Sequence, residues 1–422
     1  MTAPRHLALG VLLLVAVPAC RRDARPALRF WALGREGEVV AQLLPEFERR
    51  HPGLRVRVQQ IPWSAAHEKL LTAFVGGAMP DVLQVGNTWL PELVALGALE
   101  PLDERLARSA AMRTADYFPG ILAANLIDGV TYGVPWYVDT RLLFYRTDLL
   151  AAAGLARPPP TWAGWVAAMV RMQAAAGPGS WAILLPAREW EPLVILGLQW
   201  GADLLRDDAR YGDFRSPAFR AAFTFYLEFF RRGLAPPGET AVANVYQDFA
   251  RGAFSVYLTG PWNLGEFARR LPAAARDRWS TAPLPSPDGE YPGASLAGGA
   301  SLVIARGSRR QNDAWALVEY LAEPAQQARF YQLTGDLPAR QSAWRAAALP
   351  DDPRAGAFWL QLQHVRSTPK IPEWERIASA IAHYGEAAIR GDMGIDGALE
   401  ALDRDVDGVL AKRRWLLERA GG

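Results

Sequence analysis

The sequence GVPWYVDTRLLFYR, residues 133–146, places two aromatic rings and a carboxylate directly before an apolar run. The run, residues 142–145, predicts a buried β-strand. Trp136, Tyr137 and Asp139 lie just before its first residue. In an open α/β sheet, ligands bind in the crevice beyond the ends of the strands. The crowding of rings and charge at this point therefore makes these three residues candidates for a binding site.

Strand and helix signals alternate on both sides of this stretch. Before it, strand patterns at residues 28–33, 54–61 and 80–85 are separated by amphipathic helical patterns, and after it strand patterns recur at residues 181–186, 253–258 and 298–308. Strands separated by helices favour a mostly parallel sheet with covered faces. Because 422 residues exceed the usual size of one hydrophobic core, the sequence predicts an α/β protein of two lobes.

The composition is that of a soluble globular protein with an ample core, since half of the residues are apolar and about a fifth are charged. The net charge is +2, with positive and negative residues interspersed. The basic pI of about 8.7 reflects arginine, because Lys69, Lys370 and Lys412 are the only lysines. With no block of like charge, we expect no nucleic-acid partner.

The N-terminus has the layout of a secretory signal peptide, residues 1–20, with Arg5 before an apolar core at residues 7–17. The core is too short for a stable transmembrane helix. The sequence VPAC, residues 17–20, resembles a bacterial lipobox, in which Cys20 would be lipidated and begin the mature protein. Cys20 is the only cysteine, so it has no disulfide partner within the chain. Pro18 is unusual in a lipobox, which leaves a plain signal peptide as the alternative.

Sixteen tryptophans are several times the ordinary number, and their positions separate them into two groups. Trp162, Trp165, Trp315 and Trp415 lie in helical patterns, where core packing is the better interpretation. A second group falls in turns or at predicted strand ends: Trp31, Trp63, Trp89, Trp136, Trp190, Trp262 and Trp374. Each of these rings alone could simply pack at the edge of a lobe. Their recurrence at strand ends favours one shared cleft.

Indole rings in a cleft suit a carbohydrate ligand. A pyranose has an apolar face that stacks on an indole, and its hydroxyl groups need hydrogen bonds when they are buried. Polar groups and glycine backbones near the rings could supply these bonds: Glu36, Asn87, Thr88, Asp139, Glu189, Asn263, Gly298, Gly299 and Arg340. The sequence therefore predicts a sugar-binding cleft.

Catalytic patterns are scarce. The five histidines show no HExxH or HxH spacing, so neither a metal site nor a cofactor is expected. The sequence also lacks GxSxG, GxGxxG and GxxxxGK motifs. The carboxylate pairs Glu189/Glu191 and Glu373/Glu375 could in principle serve a glycosidase, but i, i+2 spacing does not place two carboxyl groups across a glycosidic bond.

Six fragments, taken in order, resemble the extracellular solute-binding proteins of bacterial sugar-type ABC importers, the maltose-binding-protein-like group. The fragments are FERRHPGLRVRV, PDVLQVGNTWLPELVALGALEPLD, YGVPWYVDTRLLFYRTDLLAAAG followed by PPPTWAGW, GAFSVYLTGPWN, AGGASLVIARGSRRQNDAWALVEYL and TGDLPAR. The resemblance covers nearly the whole mature chain.

The resemblance implies a two-lobe, type II periplasmic-binding-protein-like fold in which hinge crossovers join non-contiguous lobes. The first lobe would hold residues 28–137 and 283–335, and the second residues 138–282 and 336–422. Residues 133–146 would then form a crossover, so that Trp136, Tyr137 and Asp139 stand at the cleft. The same resemblance implies that these residues face the ligand: Trp31, Glu36, Trp63, Asn87, Thr88, Trp89, Trp262, Asn263, Gly298, Gly299 and Arg340, with Trp374 as a further candidate.

The function implied by the resemblance is capture of a mono- or oligosaccharide, closure of the lobes and delivery to an ABC permease. The protein is expected to be an exported, lipid-anchored monomer. Two alternatives stay open on the sequence: a binder of glycerol phosphodiesters or another small anion, for which Arg35 and Arg340 are the obvious loop cations, and an exported glycoside hydrolase that uses Glu189.

Overall fold

The computed structural model describes residues 27–238 and 242–420. The predicted signal peptide and the predicted lipidation site, Cys20, lie outside the described residues. The strands are β1 (Ala27–Leu33), β2 (Arg55–Ile61), β3 (Val82–Gly86), β4 (Leu126–Ile127), β5 (Val130–Thr131), β6 (Val134–Asp139), β7 (Leu142–Arg146), β8 (Trp181–Leu184), β9 (Leu205–Arg206), β10 (Tyr211–Gly212), β11 (Phe254–Thr259), β12 (Trp279–Ala282), β13 (Ser295–Leu296), β14 (Gly298–Ile304) and β15 (Val365–Arg366).

Helices cover these strands, and short 3-10 turns, such as Asn87–Trp89, join some of them. The α-helices are α1 (Gly34–Val39), α2 (Leu44–Arg50), α3 (Trp63–Val75), α4 (Leu90–Ala95), α5 (Asp103–Arg108), α6 (Pro119–Ala123), α7 (Thr147–Ala152), α8 (Trp162–Ala176), α9 (Glu191–Gln199), α10 (Pro217–Arg231), α11 (Val245–Ala250), α12 (Trp262–Arg270), α13 (Gln311–Leu321), α14 (Pro324–Thr334), α15 (Gln341–Ala346), α16 (Ala355–Gln361), α17 (Trp374–Arg390), α18 (Ile395–Val409) and α19 (Ala411–Ala420). In the described part of the chain, none of them combines the length and apolar character that a bilayer crossing requires.

Two mixed sheets organise the molecule. The first has five strands in the order β2-β1-β3-β14-β6, and the second has four in the order β12-β7-β11-β8. In the first sheet β1 runs parallel to β2 and β3, whereas β14 runs antiparallel to β3 and β6. In the second, β7 is antiparallel to β11 and β12, and β8 is parallel to β11.

This mixture corrects the prediction of a mostly parallel sheet. Alternating strands and helices indicate the order of the elements but not the direction in which each strand enters its sheet. Strand β14 enters the first sheet from the second through a long crossover, and it runs against its neighbours. The α/β class itself is confirmed.

Residues 133–146 contain a crossover between the two sheets. Strand β6 belongs to the first sheet and β7 to the second, and only Thr140 and Arg141 separate them. A second crossover, residues 283–297, leads back to β14, and its strand β13 pairs in parallel with β15. The limits predicted for the two lobes stay a prediction, because sheet membership does not define the ends of a lobe.

Each central strand sends alternate side chains to opposite faces, as β-structure requires. In β1, Phe30 joins a large core between helices and both sheets, whereas Trp31 packs into a smaller core on the other face of the first sheet. In β7, Phe144 joins the large core, and Tyr145 packs beneath α8 against Trp165. The buried faces fix the position of both sheets and hence of the gap between them.

Candidate functional site

A cleft of about 640 Å³ lies between the two sheets, within the range of small-molecule sites. Most of the predicted site residues line it: Glu36, Trp63, Asn87, Thr88, Trp89, Tyr137, Asp139, Trp190, Trp262, Gly298 and Gly299. They come from loops and strand ends of both sheets, so the cleft brings together residues that are distant in the sequence.

The wall formed by the first sheet is built around Tyr137. Its hydroxyl donates a 2.6 Å hydrogen bond to Oε1 of Glu36 and accepts one of 2.9 Å from Nε2 of Gln84. The Gln84 side chain is in turn held by the backbone N–H of Leu33, 2.8 Å from its Oε1. Trp63 adds a longer bond, 3.4 Å from Nε1 to the same Glu36 oxygen. This network fixes the phenol and the carboxyl group before any solute arrives.

Three carboxyl groups gather around this wall: Glu36, Asp139 and Asp336. Burial raises the pKa of each of them. The pKa of Asp336 rises to about 8, chiefly through burial and secondly through the nearby Glu36 carboxylate. For Asp139, the positive charge of Arg141 acts against this rise and lowers the pKa. Glu36 and Asp336 form an interacting pair, and the raised pKa of Asp336 keeps a proton on this pair at neutral pH.

Asn87 and Asp139 present buried polar atoms toward the same cleft. Oδ1 of Asn87 accepts a 2.8 Å hydrogen bond from the Ser301 hydroxyl, which leaves its Nδ2 group without a partner among the described residues. Oδ1 of Asp139 likewise has no partner within the described part of the chain. Buried polar groups normally form hydrogen bonds, so one donor and one acceptor remain for a bound solute.

The wall formed by the second sheet is aromatic and charged. The Arg141 guanidinium lies over the Trp262 ring, 4.5 Å from its centroid, and its Nη2 lies 2.6 Å from Oε1 of Glu191. Trp190 lines the cleft edge and packs edge-on against the buried Trp374, with ring centroids 5.4 Å apart. The flat faces of this wall are thus held by neighbours behind them.

Glycines allow the backbone to approach closely at two places. Gly299 has φ +136°, and a Cβ atom there would collide with the Tyr137 carbonyl of β6. At Gly260 a Cβ atom would overlap the Trp262 ring. Since both positions admit no side chain, Gly299 keeps β14 against β6, and Gly260 leaves room for the indole.

Several predicted residues do not line the cleft, and this corrects their assignment. Trp31 and Trp136 lie inside strands and pack into the cores on opposite faces of the first sheet. Because side chains alternate along a strand, Tyr137 and Asp139 project to one face of β6, whereas Trp136 projects to the other and stacks on Phe330, with ring centroids 4.4 Å apart. Trp374 is 1% exposed and supports Trp190 from behind.

The remaining corrections concern polar residues. Asn263 turns into its own lobe, where Nδ2 donates a 2.8 Å hydrogen bond to the Thr259 hydroxyl. Arg340 is buried in an ion pair, with its Nε 2.8 Å from Oδ2 of Asp116. Glu189 does not line the cleft, but its Oε2 lies 3.4 Å from Nη1 of Arg141.

Other cleft residues were not individually predicted as contacts of a sugar. They are Arg35, Gly86, Val138, Thr140, Arg141, Glu191, Tyr246, Pro261, Glu266, Arg269, Arg270, Leu296, Ala297, Thr334, Asp336, Thr368 and Glu375. Helical periodicity could have found some of them, because Glu266, Arg269 and Arg270 follow Trp262 along one face of α12. Glu375 carried no such signal, since only the fold brings α17 to Thr88.

No metal centre is evident in the described residues, which contain no group of three or more His, Cys, Asp or Glu side chains placed to hold a metal ion. The cleft offers hydrogen bonds, aromatic faces and paired charges.

A family model described as bacterial extracellular solute-binding protein matches residues 31–328, more than half of the chain. The chain belongs to this family. Members of this family are binding proteins, so this solute-binding protein is exported and is not an enzyme. The glycoside hydrolase alternative is thereby removed.

Related proteins agree with the assignment to the solute-binding family. The chain is similar to the sugar-binding protein MalE from Xanthomonas citri, with 49% identity, a TM-score of 0.88 and coverage of 93% of this chain and 99% of that one. It is 24% identical to the diacetylchitobiose binding protein DasA of Streptomyces coelicolor over 96% of this chain and 97% of that protein. UgpB from Mycobacterium tuberculosis, solved with glycerophosphocholine, is 25% identical with a TM-score of 0.78 and coverage of 92% and 99%. The likeness to MalE confirms the predicted type II fold.

Proposed function

We propose that this solute-binding protein captures a neutral mono- or oligosaccharide in the cleft and delivers it to the permease of an ABC importer. The observation that carries the proposal is the convergence, in one cleft, of aromatic side chains from both sheets with buried polar groups between them. The likeness to a sugar-binding MalE at 49% identity supports the same class of solute.

The aromatic side chains and the polar groups of the cleft would contact different parts of the sugar. Trp63, Trp89, Trp190 and Trp262 offer faces or edges to the apolar side of a sugar ring, while Asp139 and Asn87 offer an acceptor and a donor to its hydroxyl groups. A hydrogen bond to an ionised group contributes about 1.5–3 kcal/mol. A few such bonds and one stacked ring reach the roughly 8 kcal/mol that correspond to micromolar affinity.

The charges of the cleft argue against a phosphodiester as the solute. A phosphate would need cations that are free to bind it. Arg141 is paired with Glu191 at 2.6 Å, and Arg269 and Arg270 both reach Glu266 at 2.5 Å. Each of these three guanidinium groups therefore already contacts a carboxylate, whereas a neutral polyol requires no additional charge.

Transport would proceed through closure of the two lobes around the solute. Because the wall residues belong to different sheets, a sugar bound to both walls favours the closed state by contacts that the open state lacks. Lipidation of Cys20 would tether the exported monomer at the membrane surface, close to the permease.

A thermal-shift screen tests the proposal with glucose, maltose, maltotriose, diacetylchitobiose and glycerophosphocholine. A sugar at about 100 times its dissociation constant stabilises the folded state by about 2.7 kcal/mol. Calorimetry with the sugar that binds then compares Asp139→Ala and Trp262→Ala. We expect both to weaken binding at least about tenfold, which is about 1.4 kcal/mol.

Trp415→Ala is the matched control, since Trp415 is half-exposed on α19 and does not line the cleft. Its affinity should equal that of the parent protein. Binding of glycerophosphocholine with no response to any sugar would overturn the proposal in favour of the anionic solute. Unchanged affinity in Asp139→Ala would remove that residue from the site.

A further inference from the structure

We propose that Arg141 is a positioning residue of the cleft: it holds the Trp262 ring and the segment 189–191 in their binding orientations and ties both to the crossover between the sheets. The inference rests on the proposed function in one respect, namely that Trp262 contacts the solute. Its structural content, which is that Arg141 sets the orientation of the ring, can be tested without any solute.

The first support is the packing of the guanidinium group. Arg141 is 8% exposed, and its planar group lies over Trp262 with 4.5 Å between Cζ and the ring centroid. A planar cation can stack on an aromatic face in a way that a compact ammonium cannot. The Arg141 side chain therefore fixes the plane of the indole.

The second support is the pair of carboxylates at the other edge of the guanidinium. Nη2 lies 2.6 Å from Oε1 of Glu191, and Nη1 lies 3.4 Å from Oε2 of Glu189. Between these two residues is Trp190, which lines the cleft. One guanidinium thus connects Trp262, at the start of α12, with the segment that carries Trp190 at the start of α9.

The third support is the place of Arg141 in the chain. With Thr140 it forms the link between β6 and β7. Its carbonyl accepts a 2.8 Å hydrogen bond from the hydroxyl of Ser295, a residue of the second crossover. The backbone of Arg141 is therefore held at the junction of two crossovers, and its side chain reaches from this junction to the aromatic wall.

Several carboxyl groups surround the Arg141 guanidinium, so its removal has a defined effect on the cleft wall. Glu191, Asp139 and Glu189 are the carboxyl groups that interact electrostatically with it, together with the Tyr257 hydroxyl. Without the cation these carboxylates would repel one another, and the segment 189–191 would move away from Trp262. Preorganised binding groups lose less conformational freedom when a solute binds. The expected consequence is weaker binding in a variant that remains folded.

The experiment uses the mature chain labelled with 5-fluorotryptophan and observed by 19F NMR. Trp262→Phe identifies the Trp262 resonance. In Arg141→Gln and Arg141→Lys we expect this resonance to shift or broaden, because both replacements lose the planar stack. Arg141→Lys keeps the positive charge beside Glu191, so it serves as the variant that stays folded if Arg141→Gln does not.

Arg419→Gln is the matched control, because Arg419 lies 4.0 Å from the centroid of the Trp415 ring, on the outer helix α19. This variant should leave the Trp262 resonance in place. A parental Trp262 resonance in folded Arg141→Lys would overturn the proposal, whether or not any sugar binds.

A double-mutant cycle adds the functional readout, with maltose as the probe. We expect Arg141→Lys to weaken maltose binding about tenfold in the parent background and to have little effect in the Trp262→Ala background. Equal losses in both backgrounds would contradict a role through Trp262. If maltose does not bind the parent protein, the same cycle is run with the sugar found in the thermal-shift screen. Failure of every sugar would contradict the proposed function and leave the 19F result as the test of Arg141.

Discussion

The Tyr137 hydroxyl donates a 2.6 Å hydrogen bond to the Glu36 carboxylate, although the two residues are 101 positions apart in the chain. The same hydroxyl accepts a bond from Gln84, whose side chain is fully buried. Tyr137 therefore joins three segments of the first sheet at the edge of the cleft. Removing one oxygen atom at this point tests how much the network contributes to stability and to the site.

We expect Tyr137→Phe to lower the free energy of unfolding by about 1–3 kcal/mol, because it leaves the buried amide of Gln84 without its acceptor. Urea unfolding measures the change. Tyr384→Phe is the matched control, since the Tyr384 hydroxyl donates a 2.6 Å bond to Asp405 on an exposed surface. An equal loss in both variants would contradict the importance of burial at Tyr137.

The pH dependence of stability should report on Asp336. The pKa of this acid rises from 3.8 in its ordinary state to about 8 in the fold, mainly through burial and then through Glu36. Between these values the folded chain holds a proton that the unfolded chain has released. The contribution of Asp336 to stability therefore decreases as the pH rises through this window, by at most about 1.4 kcal/mol per pH unit.

Asp336→Asn carries no titrating group, so the stability difference between parent and variant should change across the window. In urea unfolding, we expect the unfolding free energy of the variant to rise relative to that of the parent as the pH increases from about 5 to about 8. Glu104→Gln is the control, because the Glu104 side chain is 85% exposed. A pH-independent difference for Asp336→Asn would show that the acid is ionised throughout.

Gly260→Ala tests the space beneath the Trp262 ring. A Cβ atom at this position would overlap the indole, so either the ring or the backbone must move. We expect a loss of about 1–3 kcal/mol in unfolding free energy, as in other overpacked sites, and weaker sugar binding in calorimetry. Gly408→Ala is the control in helix α18, where a Cβ atom meets nothing within 4 Å. The unfolding free energy of that variant should rise by up to about 1 kcal/mol.

Arg340→Met separates a structural residue from a ligand contact. Arg340 bonds Asp116 at 2.8 Å and also reaches the carbonyl groups of Ala111 and Ala322. Its removal takes the cation from the part-buried Asp116 carboxylate, which keeps its hydrogen bonds from the backbone N–H and the hydroxyl of Ser342, so we expect a loss of about 1.5–3 kcal/mol in unfolding free energy. Sugar affinity, measured where the variant is folded, should match that of the parent. A selective loss of affinity would return Arg340 to the site.

Helix α2 shows how closely a local pattern can predict a helix boundary. Pro45 inside an amphipathic pattern predicts a kink or a late helix start, and the pattern is divided into α1, a 3-10 turn and α2, with Pro45 in the first turn of α2. Thr161 similarly caps α8, with its Oγ1 accepting from the N–H of Gly164 at 3.1 Å. These features depend on neighbouring residues, so the sequence suffices for them.

Trp136 and Tyr137 show a prediction that the sequence could have refined. Side chains of adjacent strand residues point to opposite faces of the sheet, so the two rings could not share one face. The sheet to which β6 belongs determines whether Trp136 or Tyr137 lies on the cleft side. The pairing of β6 with β14 decided it, and no local pattern specifies that pairing.

The sequence by itself determined the α/β class, the positions of the main strands and helices, and the aromatic loops that end at the cleft. Local periodicity, capping residues and turn residues encode these features within a few neighbouring positions. Only the tertiary structure decided strand direction, the burial of Arg340 and Trp374, and the entry of Arg141, Asp336 and Glu375 into the cleft wall. Those outcomes depend on contacts between segments far apart in the chain, and such contacts form only when both sheets and their crossovers are assembled.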